Sequence, residues 1–188
     1  MSEQKNEITV KLKWGLDEAK VHFVNLGIPL IESFVIRDIY LVKDNIDFLK
    51  TNNLNILANS IIIREVIGNE HDKKLIYKDK KYDDNGNIVV NKRYCCPLVD
   101  LDKTYDLLTA IGFNECFRYE QECLSYAIND RKILLQYIAD LGLFAELENN
   151  KDVNDLINDL NYFNIPYYEN NYLVRKDSLM IDRLKKRR

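Results

Sequence analysis

The feature that most limits what this chain can fold into is a two-residue alternation of apolar and polar side chains that recurs along its length. Over residues 7–13, Glu7, Thr9, Lys11 and Lys13 fall on one face while Ile8, Val10 and Leu12 fall on the other. Such a period belongs to a strand with one buried face. Comparable segments at 33–42, 60–66, 74–80, 88–96, 117–127, 132–138 and 143–148 predict seven more strands. The runs Asp83-Asp84-Asn85-Gly86-Asn87 and Asn129-Asp130 carry turn chemistry between neighbouring segments, so most strands should pair as antiparallel hairpins. That many antiparallel strands in a small domain suit a closed barrel, which leaves no unpaired edge.

Elsewhere the apolar spacing becomes helical. It predicts helices over 16–26, stopped by Gly27; over 45–57, through Ile46, Leu49 and Ile56; and over 100–111, with Gly112 at the cap. Beyond Asn150, Val153, Leu156, Ile157, Leu160 and Phe163 mark one helical face, which Pro166 ends. A further helix over 172–184 leads into Lys185-Lys186-Arg187-Arg188. The predicted class is α+β: an eight-stranded antiparallel closed β-barrel with flanking helices over 1–149, and a C-terminal helical extension over 150–188 packed on it.

Composition narrows the chemistry. The 188 residues are 46% hydrophobic and 30% charged, which sustains a core. The 27 basic and 30 acidic residues leave a net charge of −3, so no overall field draws nucleic acid or a membrane surface. No apolar run approaches the ~20 residues that cross a bilayer, and the first residues form no apolar leader; a cytoplasmic location without a membrane partner is expected. Cys95, Cys96, Cys116 and Cys123 form no C-x-x-C pair, and His22 and His71 are the only histidines. This argues against zinc, thiol redox and Ser/His chemistry. The five basic residues between Arg183 and Arg188 read as a solvated helix end.

What remains is a set of carboxylates and Lys/Arg side chains on strands. Glu7 and Lys11 share a face of the first strand; Glu146 and Glu148 share one of the last; Lys78 and Arg93 lie on the strands between. They either decorate a solvated sheet face or line a barrel. In a lining, carboxylates can hold a divalent cation and Lys/Arg can bind phosphate oxygens.

The order of these pieces resembles the CYTH, or triphosphate tunnel, family. Glu7-Ile8-Thr9-Val10-Lys11 resembles its E-x-E-x-K opening, Asp38-Ile39-Tyr40 its D-x-Y strand, and Ile61-Ile62-Ile63-Arg64 its L-R-I-R strand. Leu75-Ile76-Tyr77-Lys78 is similar to L-T-Y-K, and Arg93-Tyr94-Cys95-Cys96-Pro97 falls where R-x-E-x-E belongs. Ala110-Ile111-Gly112-Phe113 resembles A-L-G-F, and the segment from Leu141 to Glu148 resembles L-G-x-F-x-E-x-E. Asn171-Tyr172-Leu173 echoes the S-Y-x-x-L of class IV adenylyl cyclase-like members.

The resemblance implies a barrel whose lumen takes a triphosphate-containing ligand, nucleotide or inorganic triphosphate, with Mg²⁺ or Mn²⁺. Carried over, Lys11, Arg64, Lys78 and Arg93 become phosphate-binding residues and Glu7, Glu146 and Glu148 metal ligands. Family activities are triphosphate hydrolysis, RNA 5′-triphosphate ends included, and cyclisation of ATP; homodimers occur among class IV relatives. The departures are as telling. Thr9, Cys95, Pro97 and Gln136 stand at acidic positions, and Ile62, Gln121 and Cys123 at basic ones. Acids and bases are lost in near-equal number, which keeps a lining close to neutral, as a barrel abandoning catalysis requires. The leading expectation is a degenerate member that binds a triphosphate ligand or a partner with weak or no catalysis. A working triphosphatase or cyclase comes second, and a structural or interaction barrel third.

Overall fold

A computed structural model describes residues 9–82, 88–128, 131–147, 153–169 and 176–187. Its strands are β1 (Thr9–Lys11), β2 (Leu30–Lys43), β3 (Ile61–Ile67), β4 (His71–Tyr82), β5 (Ile88–Pro97), β6 (Phe113–Ile128), β7 (Arg131–Ile138) and β8 (Gly142–Leu147). The helices are α1 (Leu16–Asn25), α2 (Asn53–Ala58), α3 (Leu101–Ala110), α4 (Val153–Tyr162) and α5 (Lys176–Arg187). All eight strands join one antiparallel sheet in the order β1-β8-β7-β6-β2-β3-β4-β5. The α+β class and the strand count agree with expectation, but the closed barrel does not: among the described residues the sheet ends at β1 and β5. β1 supplies three described residues, and these pair with β8.

The chain divides into two compact units. The described residues of the first lie within 36–120 and 177–187; those of the second lie within 9–35 and 121–176. In the second unit, strand register explains the core. Val10, Ala145, Leu135 and Leu124 stand opposite one another across β1, β8, β7 and β6, forming a single apolar row. That row, with Leu12, Leu143, Ile133 and Tyr126, packs on Ala19 and Phe23 of α1 and on Leu156 and Leu160 of α4. Each fully buried Leu or Ile there contributes about 1.5–3 kcal/mol. The first unit's core joins Leu41, Ile63 and Leu108 to Ile39, Ile61, Leu75, Leu101 and Phe113.

Local chemistry sets the helix ends. α1 starts at Gly15, whose N–H donates to the Glu18 carboxylate at 2.7 Å, and ends at Gly27 with φ +68°. α3 starts where the Asp100 carboxylate accepts the Lys103 N–H at 3.0 Å. The helix expected over 45–57 shrinks to α2. Asp47 Oδ1 accepts the N–H groups of Leu49 and Lys50, a local turn that competes with the helix, and Asn52 then caps α2 by accepting from Asn55 N. α4 stops at Tyr162, earlier than Pro166, because Asn164 adopts φ 55° and Ile165 N–H closes back on Leu160 O at 2.8 Å. The predicted turns at 83–87 and 129–130, and all of 170–175, lie outside the described residues. No helix among the described residues is long and apolar enough to cross a membrane.

Candidate functional site

In the first unit, the register places Arg64 opposite Lys74, and Lys78 opposite Arg93. Side chains two residues apart share a face, so Ile62, Arg64, Lys74, Ile76, Lys78, Arg93, Cys95 and Pro97 lie on one side of β3-β4-β5. The opposite side carries Ile61, Ile63 and Leu75 into the core. Three of the four expected phosphate-binding residues therefore share one sheet face. Directly opposed residues in such a ladder have Cβ atoms about 4.5–5.5 Å apart, so Lys78 and Arg93 form a neighbouring basic pair. Arg93 is exposed, and its Nε lies 3.1 Å from Cys95 Sγ. Lys78 is half-buried. Lys74, which the motif comparison did not single out, belongs to the same face and pairs with Asp72.

Arg64 is differently placed. Its Nε and Nη2 donate to Asp38 Oδ1 and Oδ2 at 2.7 and 2.6 Å, a bidentate pair whose carboxylate is wholly buried. Burial lowers the guanidinium pKa, but the Asp38 charge and its hydrogen bonds outweigh that, and the net shift is upward. Near this pair Tyr40 stacks on Phe117 at 4.3 Å, and Tyr119 donates its O–H to Asp177 Oδ1 at 2.6 Å. Burial first, and the Asp177 charge next, push both tyrosine hydroxyls well above their ordinary pKa. Both remain neutral donors across the physiological range.

In the second unit, a row of mixed character lies directly beside the apolar one. Lys11, Phe144, Gln136 and Cys123 oppose one another across β1, β8, β7 and β6. Thr9 and Glu146 oppose one another in the next row. Lys11 and Glu146 thus share a face, as the alternation implied. The Lys11 ammonium lies 5.6 Å from the Tyr168 ring centroid, within the range of a cation–π contact. Gln121, Gln136, Ser125 and Thr9, all on this face, are buried. Lys176 donates to Gln136 Oε1 and, at 3.5 Å, to Gln121 Oε1.

Of the expected metal ligands, Glu146 is described, whereas Glu7 and Glu148 lie outside the described residues. Among the described residues, no three His, Cys, Asp or Glu side chains converge to hold an ion. Two cavities lie in the first unit. One, of about 790 Å³, is lined by Lys43, Asn45, Thr51, Asn55, Asn59 and Tyr77 among others. The other, of about 300 Å³, lies among Arg37, Asp38, Ile63, Glu65, Arg118 and Tyr119. Lys11, Arg64, Lys78 and Arg93 line neither.

Three side chains escaped the motif reading as site members. Asp38 was visible in D-x-Y but not as the partner of Arg64, because the pairing needs the β2–β3 alignment. Lys176 and Asp177 sit in a segment read only as a helix; the signal that could have drawn attention to Lys176 was two glutamines at positions where charges were expected.

No protein-family model matches the sequence, and no curated protein does. Solved structures do. A protein of Pyrococcus horikoshii OT3 (PH1819) superposes with a TM-score of 0.66 at 21% identity, covering 95% of this chain and 99% of that one. A candidate adenylyl cyclase from Hippeastrum, described as having a dominant triphosphatase activity, gives 0.60 at 12% identity over 95% and 96% of the two chains. A candidate adenylate cyclase from Vibrio parahaemolyticus gives 0.58 at 15% identity over 88% and 91%. The chain has the fold of these proteins.

Proposed function

We propose that this is a CYTH-like protein that binds a triphosphate-containing ligand, nucleotide or inorganic triphosphate, with weak catalysis or none. The observation that carries the reading is the register of Lys78 opposite Arg93 on a sheet face that also bears Arg64 and Lys74. Clustered cations of that kind favour a polyanion through charge-assisted hydrogen bonds. The residues assigned to phosphate are Arg64, Lys78 and Arg93 of the first unit and Lys11 of the second. A divalent ion, Mg²⁺ or Mn²⁺, is assigned to Glu146 with Glu7 and Glu148. A homodimer belongs to the same reading, by resemblance.

Weak catalysis follows from what surrounds the cations. Hydrolysis of a phosphoanhydride needs charge stabilisation at the transferred phosphoryl group and a group that positions the attacking water. Here the acidic positions that would fix an ion or a water are Thr9, Cys95, Pro97 and Gln136. Arg64 already satisfies Asp38 through two of its nitrogens. A working triphosphatase is the second reading, favoured by the description of the Hippeastrum neighbour.

Calorimetry with tripolyphosphate, and turnover assays on tripolyphosphate, ATP and thiamine triphosphate with Mg²⁺ and Mn²⁺, separate the two. Binding that disappears in Lys78→Glu/Arg93→Glu, with turnover near background, is the expected result. Absence of polyanion binding in the unaltered protein would overturn the proposal. Robust turnover abolished by Glu146→Gln would instead install the enzyme reading.

A further inference from the structure

The larger cavity of the first unit lies apart from the cations assigned to phosphate. Tyr77, which lines it, precedes Lys78 in β4 and so takes the opposite sheet face. The cavity's volume of about 790 Å³ falls in the range that holds small organic ligands, roughly 300–1,000 Å³. Its polar wall comes from Lys43, Asn45, Thr51, Asn55 and Asn59. Among the described residues no carboxylate lines it, and Lys43 is its one charged side chain. Ile46, Ile61 and Phe113, with the Tyr77 ring, form its apolar part.

The polar wall is held in shape. Asp47 Oδ1 fixes the turn ahead of α2. Lys185 of α5 donates from Nζ to Thr51 O at 2.5 Å and lies 5.6 Å from the Phe48 ring centroid. Asn53 Nδ2 donates to Asp182 Oδ1 of the same helix at 2.6 Å. Asn55 and Asn59 are four residues apart, so their side chains are neighbours. Asn59 Nδ2 donates to Asn55 O at 2.8 Å, which leaves its Oδ1 as an acceptor. The Asn45 and Asn55 carboxamides take no protein partner among the described residues. Groups fixed before a ligand arrives cost less ordering when it binds.

Such a lining selects its ligand by elimination. One exposed lysine offers a polyanion little, and without a carboxylate a cation has no counter-charge. A flat base needs an open aromatic face. Tyr77, however, stands in the cross-strand row Ile61-Tyr77-Tyr94 and stacks beside Tyr94, 6.2 Å between centroids, while Phe113 packs into the core. Carboxamides each donate and accept, which matches hydroxyl groups, and the apolar part suits the C–H groups of a saturated ring. We propose that this cavity binds a neutral polyhydroxylated ring, a saccharide unit, through the Asn45, Asn55 and Asn59 carboxamides and the Thr51 hydroxyl. The proposal does not depend on the triphosphate reading.

The test is an NMR titration of the ¹⁵N-labelled full chain that follows the asparagine side-chain signals. Glucose, galactose, N-acetylglucosamine and maltose are added in separate experiments, as are adenosine and tripolyphosphate. At least one saccharide is expected to shift the Asn45, Asn55 and Asn59 signals. Asn55→Ala/Asn59→Ala should weaken that saccharide about ten-fold, through the loss of two hydrogen bonds. Asn69→Ala, at an exposed asparagine that does not line the cavity, should change nothing. Asn45→Ala, at an exposed position, serves if the double variant misfolds. No shift of these amides with any of the saccharides would overturn the proposal. So would undiminished affinity in the folded asparagine variants, or shifts at these amides with adenosine or tripolyphosphate alone.

Discussion

The two units treat charge on a sheet in opposite ways. In the first, Arg64 keeps its charge and takes a buried carboxylate, Asp38, as a bidentate partner. In the second, positions where charges were expected have become Gln121 and Gln136, and a half-buried lysine answers them. A paired ion is self-sufficient but leaves a buried charge if either partner is removed. A lysine on neutral amides can return to water when its acceptor is lost, because its stem is long and flexible. The first arrangement specifies structure strongly and spends the arginine's fork. The second satisfies two buried amide oxygens with one flexible cation.

The sharpest way to break this contrast is to remove Asp38. Asp38→Ala leaves the Arg64 guanidinium, 18% exposed, without its counter-charge. A loss of about 3–5 kcal/mol is expected for one-sided removal from a buried pair. Urea denaturation monitored by circular dichroism measures it. The double change Asp38→Leu/Arg64→Met should recover most of the loss, since apolar replacement removes both desolvation costs. A loss below about 1 kcal/mol would mean that water reaches the pair, and the first unit would then resemble the second.

Much of this architecture was legible in the chain because period-two patterning reports directly on which face of a strand is buried. The apolar row Val10-Ala145-Leu135-Leu124 and its mixed neighbour Lys11-Phe144-Gln136-Cys123 are that pattern read across four strands. Lys11 beside Glu146, and Lys78 beside Arg93, follow from the same periodicity once register is known. Register itself was not legible, because it depends on long-range pairing, and neither was the Asp38–Arg64 bond. The 45–57 segment misled for a local reason: its apolar spacing is helical, but Asp47 captures the backbone N–H groups of Leu49 and Lys50. Spacing cannot see a side chain that competes with the helix. Barrel closure was expected from strand number and from the resemblance, and neither says whether the first strand finds the last.

A smaller effect sharpens the comparison from the second unit. Gln136→Leu removes the acceptor of the Lys176 ammonium but leaves Gln121 and a route to water. A cost of about 1–2 kcal/mol is expected, the range of a hydrogen bond to a charged group partly recovered by solvation. The same urea experiment reads it. A loss as large as that of Asp38→Ala would show that Lys176 is locked in place as firmly as Arg64, and would remove the distinction between the two units.

The smallest effect comes from a more exposed ion pair of the first unit. Glu115 accepts from Arg118 Nε at 2.7 Å and from its Nη2, with side chains 24% and 60% exposed. The Arg118 hydrogen bonds lower the Glu115 carboxyl pKa from its ordinary 4.5; burial opposes this and the Arg118 charge adds to it. Because the folded value is depressed, the pair stabilises the protein fully above the unfolded pKa and loses that contribution as pH falls through the folded one. Solvent screening limits the gain to about 0.2–1 kcal/mol. Glu115→Gln should therefore be slightly less stable than the unaltered chain at pH 7, with the gap closing on acidification and narrowing in high salt. Urea titrations at neutral and acidic pH, each with and without added salt, test this. A gap that persists unchanged into acid would assign the loss to packing instead of charge, and would place Glu115 with Asp38 as a carboxylate the fold requires.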